Sequence, residues 1–98
     1  MNQSKTLQEL LNDFDTAWAK SRGVWADETF SISECERVTE EARQTDIALL
    51  KERDRAIAAV IAAEWEPEVA LREGADEARS YLERVEVEMR KRRIYWAE

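Results

Sequence analysis

The sequence contains no histidine, a single proline (Pro67), a single cysteine (Cys35) and two glycines (Gly23 and Gly74) in 98 residues. Without histidine there is no Ser–His or Cys–His nucleophile pair, no HExxH zinc site and no Glu-x-x-His di-iron pair. Two isolated glycines cannot build a phosphate-cradling loop, which removes the Walker and dinucleotide fingerprints. A lone cysteine forms no internal disulfide and fits a reducing compartment. No run approaches the roughly 18 consecutive apolar residues of a membrane span, and the polar first residues lack the apolar core of a signal peptide. Residence in the cytoplasm without membrane contact is therefore expected. The set of nucleophile, base and stabiliser cannot be filled, so neither catalysis nor a cofactor or metal is expected.

What the chain has in abundance is charge. Charged residues make up 38% of it, and 22 acidic side chains against 15 basic ones give a net charge of −7. Such a field repels a phosphate backbone, and direct binding to nucleic acid is disfavoured. Heavy charge with so little glycine and proline points to a single all-α domain over residues 1–98.

Three helical segments are expected from periodicity. Thr6 with Glu9 is a capping-box pattern, and Leu7, Leu10, Leu11, Phe14, Ala17 and Trp18 share one stripe. This predicts a short first helix over about 6–22, stopped by Gly23. The next stretch, "GVWADETF", carries Val24, Trp25 and Phe30, and is expected to pack down as a plug, with Trp25 as a candidate contact if it does not. "SISECERV" offers two overlapping capping boxes, Ser31 with Glu34 and Ser33 with Glu36. A long second helix is predicted over about 33–65, with Cys35 a small buried core residue. Its polar interruption "KERDR", residues 51–55, reads as a solvated, salt-bridged turn in which Arg53 can also lay its stem across the seam.

After Pro67 the apolar steps alternate between four and three: Leu71, Ala75, Ala78, Leu82, Val85, Met89, Arg92 and Trp96. That repeat marks a helix packed lengthwise on another, over about 67–96. The first helix is thus expected to pack on a long antiparallel helical hairpin bent at Pro67, with Glu66 and Glu68 at the positive end of the third helix. A helix only kinked at Pro67, pairing in a homodimer, is the rival architecture.

Tryptophan, tyrosine and arginine dominate binding interfaces, and four tryptophans exceed what so small a core needs. The candidate contacts are Trp65, Glu66, Pro67 and Glu68 at the bend, Arg93, Tyr95 and Trp96 near the carboxyl end, and Trp25. "RKRRIYW" also has the look of a nucleic-acid patch, but dipole compensation and ion pairing explain its cations more simply. An exposed Glu66–Pro67 bond isomerises slowly, which makes a prolyl isomerase a further conceivable partner.

A small acidic, histidine-free, all-helical chain with its one proline in "EWEPEVA" resembles the accessory proteins by which lambdoid phages modify host defence machines, in particular those that bind the RecBCD nuclease-helicase. Small helical anti-CRISPR proteins are similar in the same respects. The resemblance implies a non-catalytic phage protein of the host cytoplasm that binds a host DNA-processing complex and alters its activity. It assigns no individual residue. A structural protein that forms a helical dimer is the competing class.

Overall fold

The computed structural model describes residues 5–66 and 74–96. Among them are three helices and no strand: α1 (Leu7–Ala26), α2 (Ile32–Trp65) and α3 (Ala75–Lys91). The chain is all-α. It divides into two compact units, Met1–Leu49 and Leu50–Glu98, with α2 contributing its first half to one and its second half to the other.

In the first unit α1 begins at the expected cap. The Glu9 amide donates to Thr6 Oγ1 at 3.2 Å, and the Thr6 amide donates to Glu9 Oε1 at 3.0 Å. The helix does not stop at Gly23, however, but runs on to Ala26. Helical glycine costs about 1 kcal/mol relative to alanine. Contacts with α2 hold the extra turn: Val24 is buried with Cys35 and Val38, and the Cys35 thiol donates to the Val24 carbonyl at 3.4 Å. The Trp25 indole N–H donates to Thr39 Oγ1 at 2.7 Å. Only Val24 of the expected plug packs down. Trp25 and Phe30 are exposed, although the Trp25 indole N–H is satisfied on Thr39.

The first of the two overlapping caps opens α2. Ser31 Oγ accepts from the Glu34 amide at 3.2 Å, and the Ser31 carbonyl accepts from the Cys35 amide at 3.0 Å. Trp18 Nε1 donates to Asp46 at 2.8 Å, and the Ser21 and Thr39 hydroxyls lie 2.8 Å apart. Later residues of α1 thus meet earlier residues of α2, so within this unit the two run antiparallel. Leu7, Leu11, Val24, Cys35, Val38, Ala42 and Leu49 are its buried apolar side chains. Cys35 is the small core residue that the pattern of α2 predicts.

In the second unit, α2 and α3 meet through Arg53–Glu86, Tyr81–Glu52 and Arg79–Glu64. Ala56, Ala63, Val85, Met89 and Ile94 are buried. The described members of the four-and-three stripe, from Ala75 to Trp96, are all buried or half-buried, so α3 does pack along its length. Its sequence boundaries need correction at both ends. The described helix starts after Gly74, whose φ of 72° lies in the left-handed region that favours glycine. Its first-turn carboxylates are Asp76 and Glu77, whereas Glu66 lies at the end of α2, its backbone amide donating to the Ala62 carbonyl at 2.9 Å. Pro67, Glu68 and Leu71 lie outside the described residues.

At the other end α3 stops at Lys91, not near 96. The Arg93 amide donates to the Arg90 carbonyl at 3.0 Å and the Ile94 amide to the Met89 carbonyl at 2.9 Å, with Arg93 at φ 60°. This is the Schellman arrangement, with arginine where glycine usually sits, and Ile94 buried like Met89 as its apolar partner. A non-glycine residue in that region costs about 1–2 kcal/mol, a cost that burial of Ile94 offsets.

Candidate interaction site

Trp65, the last residue of α2, is 79% exposed. Ile61, one turn earlier on the same side of the helix, is 52% exposed, and Glu66 is exposed beside them. Together they make a small apolar ridge with a carboxylate at its tip. Glu64 in the same turn is engaged, accepting from Arg79 at 2.8 Å. Pro67 and Glu68, which the sequence adds to this candidate, lie outside the described residues.

The carboxyl-terminal candidates do not act alike. Arg93 and Tyr95 are exposed, and Tyr95 at 72% is the second most exposed large apolar group described. Trp96 turns inward instead. Its ring lies 4.2 Å from the Arg53 guanidinium carbon and 5.1 Å from that of Arg90, a double cation–π contact. Trp25 belongs to the first unit, at the last turn of α1, apart in sequence and element from the others. The eight candidates thus resolve into Trp65 with Glu66, the strap carrying Arg93, Tyr95 and Trp96, the isolated Trp25, and the undescribed Pro67 and Glu68.

The cations of "RKRR" are largely engaged locally. Arg92 donates to Glu88 Oε2 at 2.8 Å and to the Glu88 carbonyl at 3.2 Å, Lys91 lies 3.1 Å from Glu88 Oε1, and Arg90 stacks on Trp96. These hydrogen bonds, from Arg92 first and then Lys91, hold the Glu88 carboxyl below the usual range.

Sequence reasoning placed the Arg53 stem across the seam between α2 and α3 but missed the polar partners Glu86, Glu52 and Tyr81. Arg53 Nε donates to Glu86 Oε2 at 2.9 Å, with side chains only 16% and 20% exposed. The Tyr81 hydroxyl donates to Glu52 at 2.8 Å, Arg55 pairs with the same carboxylate, and the Arg55 guanidinium stands 5.8 Å from the Tyr81 ring centre. Burial pushes the Glu52 carboxyl up, but hydrogen bonds from Arg55 and Tyr81 outweigh it and leave it below its ordinary value. Burial, and then the bond to Glu52, raises the Tyr81 phenol. Tyr81 sits beside the stripe residue Leu82, and that adjacency was the only available signal.

In the first unit, a groove of about 330 Å³ is lined by Asn12, Asp13, Thr16, Lys20, Glu41 and Thr45, among others. Its lining residues come from α1 and α2. Among the described residues, no helix is long and apolar enough to cross a membrane.

No protein-family model, curated protein or solved structure matches the chain.

Proposed function

We propose that this chain is a non-catalytic interaction module, a single helical domain that docks on a nucleic-acid-handling protein complex in the host cytoplasm, such as a nuclease-helicase, and alters its activity. The observation that carries the reading is Trp65. A side chain of this size is normally at least half hidden, and fully burying one contributes several times what a small residue can. Here it is 79% exposed with Ile61 next to it. Tryptophan is the residue most enriched among those that dominate binding energy.

In the same reading α2 and α3 form an antiparallel hairpin turned at Pro67, which puts Trp65 close to the apex. The contacts Arg79–Glu64, Arg53–Glu86 and Tyr81–Glu52 support that course. A net charge of −7 suits a partner whose surface is basic because it handles nucleic acid, and it speaks against direct contact with nucleic acid.

The test uses a purified nuclease-helicase of the RecBCD type, titrated with the full chain at physiological salt while binding and DNA degradation are followed. Binding with altered degradation is expected, weakened about thirtyfold or more by Trp65→Ala, in line with an anchor worth about 2 kcal/mol or more. No binding removes this partner. Binding that is insensitive to Trp65→Ala removes the role given to Trp65. Sedimentation that shows a concentration-dependent dimer with no affinity for the complex would favour the structural-protein class.

A further inference from the structure

We infer that residues 92–96 form a two-state strap: turned back on the second unit while Trp96 sits between Arg53 and Arg90, and continued as helix from α3 when Trp96 leaves that seat. The local sequence favours the helical state. "RKRRIYW" contains neither proline nor glycine, and position 96 continues the four-and-three spacing of Leu82, Val85, Met89 and Arg92.

The turned-back state, by contrast, requires Arg93 at φ 60°, a conformation disfavoured for any side chain with a Cβ. What holds it is tertiary. Ile94 is 6% exposed, its amide donates to the Met89 carbonyl, and the Trp96 ring lies against two guanidinium groups. Arg53, the nearer of these, is itself fixed by Glu86 at 2.9 Å. A disfavoured backbone is therefore maintained by contacts at its ends.

Such an element responds to whatever competes for those contacts. A ligand surface that takes the Trp96 ring, or offers a carboxylate to Arg53, shifts the strap toward helix. The exposed Arg93 and Tyr95 are the groups it meets first. The strap has these two states whether or not the chain docks through Trp65.

The test reads the ¹³Cα chemical shifts of residues 92–95 in the full-length protein. Wild type is expected to show the left-handed value at Arg93. Trp96→Ala removes the seat, and Arg93→Val places a β-branched residue where a positive φ is least tolerated; both are expected to move these shifts into the helical range. Adding Arg93→Gly to Trp96→Ala is expected to restore the turned-back pattern. If Trp96→Ala leaves the shifts unchanged, or moves them to random-coil values, the strap is a fixed cap or a frayed end and the inference falls. Should Arg93→Val fail to fold, as judged by loss of spectral dispersion, the Trp96→Ala result decides alone.

Discussion

Arg53 shows how far a sequence reading reaches for one side chain. It lies inside "KERDR", five consecutive charged residues that span more than one helical turn, so some must face inward whatever their polarity. The sequence singles out Arg53 as the stem that can cross the seam, but it does not name the partners that the side chain meets there. In the structure Arg53 uses its edge and its face together, with Nε on Glu86 and the guanidinium plane over Trp96. Lysine keeps the charge but has no plane to stack. Arg53→Lys is therefore expected to cost about 1 kcal/mol, mainly through the ring contact. Arg53→Met keeps the stem but strands the Glu86 carboxylate, which is 20% exposed, and is expected to cost about 2 kcal/mol, less than for a fully buried pair. Urea midpoints at constant slope measure both. Equal losses would assign the whole effect to the ring and none to the ion pair.

At the scale of the element, the two glycines look alike in sequence and differ in structure. Gly23 reads as a stop and Gly74 falls inside the expected third helix, yet Gly23 lies within α1 and Gly74 precedes α3. A Cβ at Gly23 would meet nothing within 4 Å, and its backbone stays out of the left-handed region. Gly23→Ala is therefore expected to stabilise the protein by about 0.5–1 kcal/mol. At Gly74 the nearest atom to a new Cβ is Glu77 Cγ at 3.7 Å, so space is not the obstacle, but φ is 72°. Gly74→Ala is expected to destabilise by about 1 kcal/mol. Thermal midpoints of the two variants should move in opposite directions, by about 4–8 °C per kcal/mol for a domain of this size. The contrast also marks where sequence reading ends. Caps such as Thr6 with Glu9 are local, so they can be read; the last turn of α1 depends on the burial of Val24, and the end of α3 on an arginine in a glycine conformation. Neither leaves a local signature. The candidate site divides in the same way: Trp96 belongs to the apolar stripe, so its inward side is legible, whereas its cation partners, 43 and 6 residues away in sequence, are not.

For the whole molecule, composition alone gives the all-α class, and the surplus of carboxylates sets how stability varies with pH. On acidification from neutrality the net charge falls from −7 toward zero at the isoelectric point of 4.7, and self-repulsion relaxes. Acting against this are carboxyls held below their ordinary value of 4.5. Glu52 is held there because the bonds from Arg55 and Tyr81 outweigh its burial; Glu88 by Arg92 and Lys91; and Glu9 by the Thr6 amide and hydroxyl. A depressed folded-state pKa means that the folded chain keeps these groups ionised where the unfolded chain takes up protons. Their stabilisation is complete above 4.5 and is lost as pH falls below it through the folded-state values. On the alkaline side the sign reverses. The Tyr81 phenol is raised from its ordinary value of 10.0, so its contribution is complete below 10.0 and is lost as pH rises through the higher folded-state value. The urea midpoint is therefore expected to peak at about pH 5 to 6, fall steeply on the acid side, and fall again above pH 10. Glu52→Gln removes the most buried of the three carboxylates and should flatten the acid limb while lowering the plateau. It should also bring the alkaline limb to lower pH, since the phenol then loses the charged acceptor that helps to retain its proton. If both limbs stay in place in Glu52→Gln, the seam between α2 and α3 does not set the pH dependence, and the acid limb reflects Glu88, Glu9 and net charge.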